Sequence, residues 1–206
     1  MHLGAIPTLA PYLLPRVVPA IRDDYPDLRL FFREATTDDL LEDLRAGRLD
    51  AILIALPYEV GDVEVQFLFA DGYQLAVRPD DPIARKQILR GPDIADMHLM
   101  LLARGHCLQR HALSAFEPGG PVQDRSFEAT SLPTLIAMVA EGLGATLLPQ
   151  VAIDAGVADG QGVALVPLDG ACPRRMVLAW RKASPRATEF RRLGDELVRI
   201  RDGFRR

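Results

Sequence analysis

Gly105-His106-Cys107 is the stretch of this sequence best suited to chemistry. It follows an apolar run, Leu99 to Leu102, that reads as a strand, and it opens a segment, Gly105 to Phe116, that reads as a helix. Helix-terminal amides and the helix dipole favour an anion at such a junction, and the imidazole of His106 can stabilise a thiolate by charge or hydrogen bond. Cys107 is therefore a candidate nucleophilic or redox thiol, with His111 four residues on and on the same helical face. A buried, inert cysteine is the plain alternative, and these residues alone leave both readings open. Read as metal ligands, His98, His106, Cys107 and His111 lack the paired ends of a zinc-binding loop, so no metal is expected.

Two further groups have the right chemistry. Thr8 and the pair Thr36-Thr37 each follow a predicted strand, at the carboxyl ends where open α/β sheets bind ligands; helix capping is their ordinary role, and one does not preclude the other. Cys172, in Gly170-Ala171-Cys172-Pro173, is expected as an exposed thiol in a turn. Two cysteines are too few for a disulfide framework in a chain of 206 residues. Gly142-Leu143-Gly144 closes a helix and leads into a strand, the reverse of a phosphate cradle. No nucleophile elbow, Walker loop or His-Glu-x-x-His stretch occurs, so the common enzyme signatures are missing and no cofactor is expected.

The elements that must position these residues alternate. Leu3 to Ile6 reads as a strand and Pro11 to Asp24 as a helix that Pro15 and Pro19 should make irregular. Leu28, Leu30 and Phe32 alternate as a strand. Thr37 is expected to cap a helix that buries Leu40, Leu41 and Leu44 and stops at Gly47. Asp50 to Leu56 reads as a strand buried on both faces of a parallel sheet. Arg78 to Pro92 is expected as a loop, Ser126 to Ala129 as extended, and Ser131 as the cap of a helix carrying Leu132, Leu135, Ile136 and Val139. Strands at Ala145 to Leu148, Val163 to Val166 and Met176 to Trp180 precede a helix with Phe190, Leu193, Leu197 and Ile200 on one face. The sum is an α/β fold with mainly parallel sheets.

Composition narrows the partners. Residues 181–206 carry nine Lys or Arg against four Asp or Glu, so the formal charge of -4 leaves -9 on the rest, a body that repels a phosphate backbone. The basic segment reads as a solvated helix face. The longest apolar run, residues 2–15, is interrupted by Pro7, Pro11 and Pro15, so no membrane span is expected, and the absence of a basic leader points to a cytoplasmic protein.

The chain resembles the sensing domain of LysR-type transcriptional regulators. Ile6-Pro7-Thr8-Leu9-Ala10-Pro11-Tyr12-Leu13-Leu14-Pro15, Gly47-Arg48-Leu49-Asp50 and Met138-Val139-Ala140-Glu141-Gly142-Leu143-Gly144 with Leu147-Leu148-Pro149 carry the general likeness. Glu34-Ala35-Thr36-Thr37, Gly105-His106-Cys107-Leu108 and Ala129-Thr130-Ser131-Leu132 resemble the family's hydrogen-peroxide sensors, the OxyR type. The resemblance implies two Rossmann-like lobes joined by two crossovers, as in type 2 periplasmic binding proteins, with a ligand in the cleft. Lobe I would comprise residues 1–74 plus 177–206 and lobe II residues 75–176, and a winged helix-turn-helix responsible for DNA binding would precede Met1. It further implies a non-enzymatic regulator, a homodimer that is tetrameric at full length, and hydrogen peroxide or another small effector as ligand. Cys107 would be the peroxidatic cysteine, with His106, Thr8, Thr37, Gly105, Thr130 and Ser131 around the ligand. Three positions depart from the sensors' pattern: Phe116 stands where the resolving cysteine falls, Arg110 replaces an acidic residue, and Ser126 replaces a histidine. Without a cysteine at 116 the usual disulfide cannot form, which leaves sulfenic acid, an external thiol or Cys172 to complete the switch.

Overall fold

The structure is a computed structural model that describes residues 1–95, 97–103 and 122–203. The helix expected from Gly105 to Phe116, and with it Gly105, His106, Cys107, Arg110 and His111, lies outside the described residues. In chain order the elements are β1 (His2–Ala5), α1 (Ala10–Asp24), β2 (Phe31–Glu34), α2 (Thr37–Arg45), β3 (Ala51–Leu56), β4 (Val63–Asp71) and β5 (Tyr73–Val77). A short 3-10 turn (Pro82–Arg85), α3 (Gly91–Ile94), β6 (His98–Leu102), β7 (Val122–Ala129) and α4 (Leu132–Ala140) follow. The chain continues through β8 (Thr146–Pro149), α5 (Gln150–Asp154), β9 (Ala164–Pro167), β10 (Arg174–Arg181) and α6 (Ala187–Gly203). Two compact units result: Met1–Ala70 with Arg174–Arg206, and Asp71–Pro173.

Unit 1 is built on a five-stranded sheet in the order β2-β1-β3-β10-β4. β1 runs parallel to both β2 and β3, whereas β10 runs antiparallel to β3. In unit 2, β5 pairs antiparallel with β8 and β9, while β6 and β7 are parallel. Met100 N–H donates to the Ala145 carbonyl (2.9 Å) and the Thr146 hydroxyl to the Met100 carbonyl (2.6 Å), tying β6 to the β8 side. The sheets are thus mixed, and the expectation of mainly parallel pairing is corrected. Parallel pairing follows from consecutive strand-helix-strand units; β5 leaves β4 through Gly72 alone, and β10 returns from unit 2, so neither direction was imposed by a crossover helix.

Local causes are visible in each element. α1 tolerates Pro15 and Pro19 because, with Pro11, they recur every fourth residue on its exposed side, where carbonyls that lose an amide partner can be hydrated. α2 buries Leu40, Leu41 and Leu44, each contributing about 1.5–3 kcal/mol, and ends with Gly47 at φ +75°. β3 is buried from Ala51 to Ala55. α6 sets Phe190, Leu193, Leu197 and Ile200 against the sheet, with Phe190 tilted 5.7 Å from the ring of Trp180 on β10. β2 is shorter than the alternation of Leu28, Leu30 and Phe32 predicts. It begins at Phe31, beside His2 of β1, and all four of its residues are exposed at the sheet edge. β4 and β5 were not anticipated.

Candidate functional site

Pairing of β1 with β2 sets Ala5 opposite Glu34, so Thr8 and Thr37 each lie three residues beyond the same point of two neighbouring strands. Both are buried, Thr37 completely. The expected capping role of Thr37 belongs instead to Thr36. Thr36 has the extended backbone of a cap (φ -63°, ψ 162°), accepts from the Asp39 amide at 3.4 Å and donates to the Asp39 carboxylate at 2.7 Å. Thr37 is then the first helical residue, with its side chain turned inward, and its hydroxyl has no hydrogen-bond partner among the described residues. A buried hydroxyl in that state costs stability, and a ligand with an accepting or donating oxygen would satisfy it.

Thr8 is held differently. Arg174, the first residue of β10 and 1% exposed, donates from Nη1 to Thr8 Oγ1 at 2.7 Å and from Nη2 to the Thr8 carbonyl at 3.1 Å. A guanidinium only donates, so Thr8 Oγ1 accepts, and its own proton is directed elsewhere. One turn along α1, Tyr12 has its hydroxyl pKa pushed up to about 12, first by burial and then by the charge of Glu34, and so remains a protonated donor. Tyr58, after β3, donates to Asp38 at 2.6 Å and fixes the loop to the start of α2. The carboxyl ends of β1, β2 and β3 in unit 1 therefore present hydroxyl groups, two of them buried threonines, and this is donor chemistry suited to a small oxygen-bearing ligand.

Arg174 is the residue that sequence reasoning missed. Beside Arg175 it reads as a surface charge, and its partner is 166 residues away. The one available clue was that a strand buried on both faces leaves little room for an exposed arginine at its start. In unit 2, Ser131 caps α4 as expected, accepting from the Thr134 amide at 3.4 Å and lying 2.9 Å from the Thr134 hydroxyl, while Thr130 is exposed. Cys172 is a free, exposed thiol, 3.9 Å from the Pro173 carbonyl. Gly105, His106, Cys107 and Phe116 lie outside the described residues, and Ser126 falls within β7. Among the described residues no group of three His, Cys, Asp or Glu could hold a metal ion, and no helix is long and apolar enough to cross a membrane.

The LysR substrate binding domain model matches residues 1–200. The chain belongs to that family. It is 37% identical over 205 residues, 98% of this chain and 67% of the relative, to the DNA-binding transcriptional dual regulator OxyR of Escherichia coli K12. It is 35% identical over 204 residues, 97% of this chain and 66% of the relative, to the HTH-type transcriptional regulator EstR of Acinetobacter baylyi. A solved structure of a cysteine-to-serine mutant of Corynebacterium glutamicum OxyR, bound to hydrogen peroxide, matches with a TM-score of 0.91 and 32% identity over 99% of this chain and 66% of that one. This LysR domain thus has the two-lobed, type 2 periplasmic-binding-like α/β fold, and its family is one of transcriptional regulators. The chain spans about two thirds of the length of these relatives.

Proposed function

We propose that this LysR domain is the peroxide-sensing regulatory domain of a transcription regulator, with Cys107 as the oxidised thiol. The observation that carries the reading is the pair of buried threonine hydroxyls: Thr37 without a partner among the described residues, and Thr8 accepting from Arg174 so that its proton is free to point elsewhere. The similarity to OxyR proteins, one of them bound to hydrogen peroxide, points the same way. In the reaction the Cys107 thiolate attacks one peroxide oxygen; an S–O bond forms, the O–O bond breaks, sulfur is oxidised by two electrons and hydroxide departs, to be protonated by solvent. Thr8 and Thr37 supply donors to the ligand and the departing oxygen, His106 stabilises the thiolate, and Arg174 is the positioning residue that fixes the polarity of Thr8. Gly105, Thr130 and Ser131 complete the ligand contacts.

The domain is a cytoplasmic, non-enzymatic switch and works as a homodimer, tetrameric in the full-length protein, with DNA contacted through a separate winged helix-turn-helix. With Phe116 in place of a second thiol, the sulfenic acid persists, pairs with a small external thiol or reaches Cys172, and excess peroxide over-oxidises it to sulfinic acid. The competing reading, a small organic effector in place of peroxide, draws on the same unpartnered hydroxyl and on the similarity to EstR, whose name specifies no peroxide response. Reaction kinetics separate them. The rate of Cys107 thiol loss with peroxide should fall at least about tenfold in Thr37→Val and in Thr8→Val. Rates that match wild type in both variants would remove the threonines from the reaction and favour the organic effector.

A further inference from the structure

We draw no further inference here: the strongest candidate, the surface patch that Val65 and Phe67 expose on the edge strand β4 of unit 1 with Arg175 over the Phe67 ring, carries none because nothing in the structure shows what covers it.

Discussion

Replacing Thr8 and Thr37 by valine, one at a time, should move stability in opposite directions. Valine keeps the volume of threonine and exchanges a hydroxyl for a methyl group. At Thr8 the exchange strips a buried guanidinium of the acceptor it holds at 2.7 Å, leaving the bond to the Thr8 carbonyl intact. Loss of one buried, charge-assisted hydrogen bond costs roughly 1.5–3 kcal/mol, so Thr8→Val should lose about 2 kcal/mol. At Thr37 the hydroxyl removed is buried with no partner among the described residues, so the valine relieves a desolvation cost, and stability should hold or rise by about 1 kcal/mol. For a chain of this size each kcal/mol is roughly 2–4 °C in melting temperature, which separates the variants by about 6–12 °C. Differential scanning calorimetry of the reduced proteins at pH 7 measures it directly. Equal destabilisation by the two substitutions would refute the reasoning, since it would mean that the Thr37 hydroxyl is satisfied in the resting protein.

Other consequences are equally open to measurement. Glu189 is held below its ordinary carboxylate pKa by hydrogen bonds from Arg186; at Asp50 burial acts upward but is outweighed by the His2 amide and Arg186. Both groups have depressed folded values, so their stabilisation is complete above the unfolded values near roughly pH 4 and is lost as pH falls through the folded ones. Urea midpoints between pH 5 and pH 3 should therefore drop more steeply for wild type than for Arg186→Met, and parallel profiles would contradict the assignment. Gly4→Ala should destabilise by about 1–3 kcal/mol, because a β-carbon there would meet Leu40 at 2.6 Å and Leu49 at 2.7 Å inside the core of unit 1; urea denaturation at the wild-type midpoint would expose a wrong sign.

Features set by local chemistry were legible before the structure. Ser131 caps α4, Gly47 closes α2, and the stripe from Phe190 to Ile200 is the buried face of α6, because each depends on residues within a turn or two of one another. Features set by distant partners were not. Thr36 and Thr37 are chemically identical neighbours, and only the entry angle of the chain decides which one caps and which is buried. The same limit hid Arg174, whose role exists only once β10 has joined β3 and brought it to Thr8. The direction of β10 and β5 likewise depends on how the chain passes between the units, which no local periodicity records.

The most direct test of the account is intact-mass spectrometry of the reduced protein after graded additions of hydrogen peroxide, with Cys107→Ser beside wild type. The account predicts that one equivalent adds a single oxygen atom at Cys107, trapped by a sulfenic-acid reagent, and that excess peroxide adds a second, since Phe116 provides no thiol to capture the first product. Cys107→Ser should remain unmodified at one equivalent, with Cys172 reacting only in excess. Equal uptake of oxygen by both proteins would contradict the claim that Cys107 is the peroxide-reactive thiol.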